Sequence, residues 1–170
     1  MGAYHFAHPD VNCPSAEANH FWNVAGAYTL AEGKSLSPAI DFEIFNGTAC
    51  QPGYTAWANA FNTAVKAKTS SSLNCQIIIS TCSGCNFNSN ITLGPWVLNY
   101  NGQNLFTGSP WTTCCTCNVW DSTHKCGSTV WNYWGVSSTG AISGVSGNCD
   151  LDAFNGNLSF LKSSQGVGGI

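Results

Sequence analysis

Two carboxylates close the stretch Ser37-Pro38-Ala39-Ile40-Asp41-Phe42-Glu43, which has the pattern of a short buried strand ending in acids. Alternate side chains of a strand share a face, so Asp41 and Glu43 point the same way with α-carbons about 6.5–7 Å apart. Acids so placed make a catalytic pair possible, in which one carboxyl delivers a proton while another stays ionised. Neighbouring negative charge raises a carboxyl's pKa, and Glu43 is the residue expected to be raised. That spacing between α-carbons does not fix the separation of the carboxyl groups, on which a retaining or an inverting outcome would turn were the substrate a glycoside. Taken alone, Asp41-Phe42-Glu43 would also suit a solvated strand end. Asp150 and Asp152 form a second acidic pair, with Asp150 the preferred site residue and a turn or helix cap before Ala153-Phe154 the competing structural role.

The elements that must hold these acids alternate in type. Short apolar runs at residues 3–7, 39–43, 75–81, 96–100, 129–134 and 149–153 predict six strands, and Gln76-Ile77-Ile78-Ile79 is apolar enough to be buried on both faces. A helix is predicted over 15–25, with Pro14 setting its boundary and Ala18, Phe21, Trp22 and Ala25 on its apolar face. A second runs over 54–68, where Tyr54, Trp57, Ala58, Phe61 and Val65 follow the spacing of an amphipathic face. Alternating strands and helices imply a parallel α/β sheet. The Gly-, Thr- and Cys-rich residues 101–128 predict a disulfide-tied loop in place of a crossover helix. Residues 1–162 are expected to form one domain and 163–170 a frayed, Gly-rich tail.

Composition narrows the setting. Charged residues make up 8% of the 170 residues, the net charge is −3 and Arg is absent, so nucleic acid is an unsuitable partner. No run of 18 apolar residues occurs, so no membrane span is expected. Ten cysteines, an even number, predict a disulfide framework and a secreted protein, with the connectivity left open. Disulfides account for Cys82, Cys85, Cys114, Cys115, Cys117 and Cys126 better than a zinc site with His124 does, so neither metal nor cofactor is expected. His5 and His8 are expected to hydrogen-bond in the core or at its rim.

Four segments in order carry a family resemblance: Gly2-Ala3-Tyr4-His5-Phe6-Ala7-His8-Pro9, Pro38-Ala39-Ile40-Asp41-Phe42-Glu43, Trp131-Asn132-Tyr133, and Asp150-Leu151-Asp152-Ala153-Phe154-Asn155-Gly156. Together they resemble glycoside hydrolase family 25, the lysozymes of Chalaropsis and phage-endolysin type. The resemblance implies a TIM-barrel-like fold with five βα units and three further strands. It also implies N-acetylmuramidase activity on peptidoglycan, cutting the β-1,4 bond after N-acetylmuramic acid. Glu43 then matches the general acid, Asp41 the carboxylate beside it, which would hold the substrate's acetamido group, and Asp150 the acid of the last strand. Tyr4, Tyr100 and Trp131 are the expected sugar-stacking aromatics, chosen from a set that also holds Phe6 and Tyr133. Asn132 stands where relatives carry Gln.

Measured against that family, the chain starts at what would be the third strand and lacks the carboxylate of the first. An incomplete, six-stranded barrel with open edges is therefore expected, with self-association or loss of order at those edges and weakened activity. A glycan-binding relic of the same fold is the alternative from another class. A chitinase-like hydrolase is weaker, because no D-x-x-D-x-D-x-E run precedes Glu43.

Overall fold

A computed structural model describes residues 2–29, 35–69, 74–111, 119–120 and 130–164. Its strands are β1 (Tyr4–Phe6), β2 (Ala39–Asp41), β3 (Gln76–Ser80), β4 (Gly94–Leu98), β5 (Tyr133–Gly140) and β6 (Cys149–Phe154). Its helices are α1 (Pro14–Ala25), α2 (Tyr54–Thr69) and α3 (Leu158–Ser164). The strands form one curled sheet in the order β1-β2-β3-β4-β5-β6, parallel from β1 to β5 and antiparallel between β5 and β6. All six expected strands are present, and among the described residues β1 and β6 are the open edges.

Burial explains the two faces. Ile40, Phe42, Ile77, Ile79, Val97 and Trp134 are buried on one face against Ala18 and Phe21 of α1 and Trp57, Phe61 and Val65 of α2. That is the apolar stripe expected of α2, and its Trp57 and Phe61 rings stack at 5.9 Å. Pro14 opens α1, where a missing N–H costs nothing. The register of the other face runs Phe6, Asp41, Ile78, Trp96, Tyr133, Phe154 across all six strands. This open face carries the acids. Phe160 of α3 packs on its Phe154 margin at 5.7 Å.

Boundaries moved at the two ends of β5. The expected strand at 129–134 begins only at Tyr133 and continues to Gly140, so the strand parity assigned to Trp131 does not apply. The hairpin to β6 turns through Gly144 and Gly147 at φ 88° and 92°, left-handed backbone that glycine adopts without steric cost. Helix α3 crosses the expected boundary at 162/163, while 165–170 lie outside the described residues.

Cys13 is bonded to Cys50, and Cys82 and Cys85 are also disulfide-bonded. Cys75 and Cys149 keep free thiols, so the framework does not take in all ten cysteines. Cys75 is packed in the core just ahead of β3, where burial pushes its thiol up to about 12. Cys114, Cys115, Cys117, His124 and Cys126 lie outside the described residues. No group of three or more potential metal ligands occurs among the described residues.

Candidate active site

The open face gathers acids at the C-terminal ends of its parallel strands, where loops rather than helices meet the ligand side. Asp41 is the last residue of β2 and Glu43 follows two residues later, exposed. Asp150 reaches the same end by another route: β6 runs antiparallel, so its start lies beside the end of β5, with Cys149 opposite Gly140. Asp150 and Asp152 both lie inside β6, which rules out the cap or turn role.

Electrostatics ties three of these groups together. Burial, then the charge of Glu43, then that of Asp150 raise the Asp41 carboxyl from 3.8 to about 6. Asp41 feels this repulsion at the end of a buried strand, while Glu43 stands exposed beyond it. Asp41 Oδ1 is buried with no hydrogen-bond partner among the described residues. Such an atom costs free energy unless a ligand or solvent group satisfies it.

The loop bearing Glu43 is held by its own chemistry. Ala49 N–H donates to Pro9 O at 2.6 Å, Gly47 N–H to the Tyr54 hydroxyl at 3.0 Å, and the Cys13–Cys50 bridge fastens the loop to the start of α1. On the opposite flank His5 is joined to buried Glu17 of α1, whose other oxygen accepts from Asn12 Nδ2 at 2.6 Å. His5 also stacks on Phe61 at 5.5 Å, which gives it the expected core role. His8 lies 3.9 Å from Asp10 at the strand end.

The aromatics divide. Tyr4 lies at the exposed margin of the open face, and Tyr100 stands exposed two residues beyond β4. Trp131 is 8% exposed and meets Trp134 edge to face at 5.9 Å, so it belongs to the helix-covered core and away from the acids. Trp96 and Tyr133 occupy the open face instead, their ring centroids 4.8 Å apart, with Phe154 5.3 Å beyond Tyr133. The parity that puts Trp96 on the same face as Tyr100 was the signal for it. The Tyr133 hydroxyl is buried without a partner among the described residues, and burial holds the phenol well above its usual range. Asp152 Oδ1 accepts a 2.7 Å hydrogen bond from Trp96 Nε1; burial, opposed by that bond and assisted by the charge of Asp150, leaves its carboxyl raised. Asn132, though shorter than Gln, donates to Gln76 Oε1 at 2.7 Å across Gly94, where a Cβ would collide with it.

This arrangement has relatives. The curated protein Lysozyme M1 of Streptomyces globisporus is 30% identical over 168 residues, an alignment taking in 94% of this chain and 51% of that protein. The chain thus spans about half the length of that relative. The crystal structure of the bacterial lysozyme from Streptomyces coelicolor superposes with a TM-score of 0.66 at 24% identity, covering 97% of this chain and 71% of the other. A family GH25 lysozyme from Aspergillus fumigatus gives 0.61 at 19% identity, over 96% and 72%. At those identities the two structures bear on the fold alone. The family model for glycosyl hydrolases family 25 matches residues 1–145, most of the chain, and the chain is accordingly a member of that family.

Proposed function

We propose that this chain is a peptidoglycan hydrolase, an N-acetylmuramidase that cuts the β-1,4 bond between N-acetylmuramic acid and N-acetylglucosamine. The observation that supports the reading is the gathering of Asp41, Glu43 and Asp150 at one end of the open face, with the raised Asp41 carboxyl in keeping with it. Family membership and the lysozyme relatives support the same chemistry.

Glu43, free in solvent, is the general acid that protonates the leaving oxygen. As the glycosidic C–O bond breaks, the substrate's own acetamido oxygen bonds to the anomeric carbon. Asp41 accepts that group's N–H at its unpartnered oxygen. Water, giving a proton to the Glu43 carboxylate, then opens the ring and restores the acetamido group. Asp150 supplies a further negative charge near the positive charge that develops. Tyr4 and Tyr100 are proposed to stack against sugar rings, while the burial of Trp131 argues against that role for it.

Residues 1–162 form the proposed catalytic domain. Disulfide-bonded Cys13, Cys50, Cys82 and Cys85 favour a secreted protein. No helix among the described residues is long and apolar enough to cross a membrane. Edge β1, which presents the exposed rings of Tyr4 and Phe6 while His5 turns inward to Glu17, is the proposed self-association surface. The deciding experiment is a wall-lysis assay with Glu43→Gln, which keeps size but holds no carboxylic proton. Lysis should fall by about two orders of magnitude or more. Near-normal lysis by the folded variant overturns the assignment. Saturable glycan binding by the unsubstituted chain without any lysis would instead favour the binding-relic alternative.

A further inference from the structure

One carboxylate on the open face has no task in the scheme above. Asp152 lies on β6, two strands from Trp96 on β4, yet its Oδ1 accepts the Trp96 indole N–H at 2.7 Å. The line between them crosses β5 at Gly135, which is in register with Asp152 on one side and Leu98 on the other. A Cβ at Gly135 would sit 3.2 Å from Asp152 Oδ1 and 2.5 Å from Leu98 Cδ2. The absent side chain therefore leaves the carboxylate its passage across the sheet.

The indole at the other end of that bond is fixed from several sides. Tyr133 lies against it with centroids 4.8 Å apart and the planes inclined by 34°. Away from β6, Trp96 helps to line an apolar cavity of about 100 Å³ together with Tyr4, Leu36 and Ala39. The ring thus lies between the β6 margin and the β1–β2 margin of the face that carries Asp41. An indole has a single N–H donor, so the Asp152 bond sets the ring's rotation in its own plane. A half-buried indole held in this way offers a rigid apolar surface of the kind on which pyranose rings stack.

We propose that Asp152 is a positioning residue: through its hydrogen bond it fixes Trp96 as the platform on which an N-acetylated hexopyranose of the substrate stacks. It takes no part in proton transfer. This rests on the hydrolase reading above, and the test separates the two. The chain and its variants are titrated with a β-1,4-linked N-acetylglucosamine tetramer by calorimetry, and kcat and KM are measured on solubilised peptidoglycan. The indole N–H signals are followed by 15N NMR, the Trp96 signal being identified by its loss in Trp96→Phe.

Asp152→Ala should weaken tetramer binding and raise KM by roughly tenfold, with kcat changed by less than about threefold. Asp152→Asn keeps an acceptor oxygen and should stay within about threefold of the parent on every measure. In a Trp96→Phe background Asp152→Ala should cost less than about twofold more, because its route of action is already gone. The Trp96 indole signal should move in Asp152→Ala, hold its place in Asp152→Asn, and shift when tetramer binds the parent chain. A large loss of kcat at constant KM, an Asn variant as damaged as the Ala variant, independent multiplying effects, or an indole signal indifferent to Asp152 or to the tetramer each overturns the proposal. Tetramer binding with these signatures but without hydrolysis would sink the hydrolase reading and leave Asp152 in its role. Intact hydrolysis with an unmoved indole would do the reverse.

Discussion

At the scale of single residues, Asp41 is where the proposed function and stability conflict. Its carboxyl is raised to about 6 in the fold, above the ordinary 3.8, so folding favours the protonated form. The ionised group therefore penalises the native state. The penalty is absent below about pH 4, grows between pH 4 and 6, and is constant above, and solvent screening of this half-exposed carboxylate keeps it well under ~3 kcal/mol. Asp41→Asn should accordingly raise stability at pH 7, with the gain vanishing near pH 3.5, as urea denaturation at the two pH values would show. The same variant should lyse walls poorly, since a neutral amide stabilises developing positive charge less well. In the unsubstituted chain kcat/KM should follow a bell whose acid limb reports Asp41, activity being lost as pH falls below about 6 and Asp41 is protonated, and whose alkaline limb reports loss of the general acid's proton. A flat profile between pH 5 and 7 would remove Asp41 from the mechanism.

At the scale of elements, two ties hold the acids' scaffold in place. Glu17 joins α1 to β1 through His5. Burial alone would raise its carboxyl, but the hydrogen bonds of His5 and Asn12 and the charge of His5 outweigh this and hold it below the ordinary 4.5. A lowered folded value stabilises the protein above the unfolded pKa, and that stability is lost as pH falls through the folded one. Glu17→Gln should therefore destabilise by about 1–3 kcal/mol at pH 7, and the gap should narrow below about pH 4. A gap independent of pH would show that packing, not charge, carries the tie. The second tie is the bridge from Cys13 to Cys50, closing 37 residues that include β2 and Glu43. Replacing both cysteines by serine should cost about 2–4 kcal/mol in chemical denaturation. Wall lysis should fall further than stability alone explains, because the Glu43 loop loses its anchor. Unchanged lysis at a temperature where the variant is folded would show that the backbone bonds of Ala49 and Gly47 suffice.

At the scale of the whole molecule, the sheet of the described residues is open at β1 and β6, and the two edges are unlike. Strand β6 carries Asp150 and Asp152, charges that discourage pairing with another strand. Strand β1 is three residues long and shows Tyr4 at 65% and Phe6 at 40% exposure, while its one ionisable side chain, His5, is turned inward to Glu17 and does not oppose association. Sedimentation over a concentration series should reveal reversible association, and Tyr4→Lys should weaken it. A chain that stays monomeric at high concentration and lyses walls fully would contradict the proposal that the open edge is a liability.

The sequence alone determined the pattern of elements, because that pattern rests on local periodicity: six apolar runs became six strands, and the stripe from Tyr54 to Val65 became the buried face of α2. It also set Asp41, Glu43 and Asp150 apart, since their motifs are short and ordered. Which faces and ends those residues share is set by register and by strand limits, neither of which is a local property. Trp131 was expected beside Tyr133 by alternation, but β5 begins only at Tyr133, so Trp131 turns into the core. Trp96 and Asp152 are 56 residues apart and look unremarkable in sequence; only the pairing of β4, β5 and β6, with Gly135 between, brings them into contact. The raised acid followed the same logic. Charge repulsion between Asp41 and Glu43 was legible from their spacing, but its outcome at Asp41 depended on burial, which long-range packing alone sets.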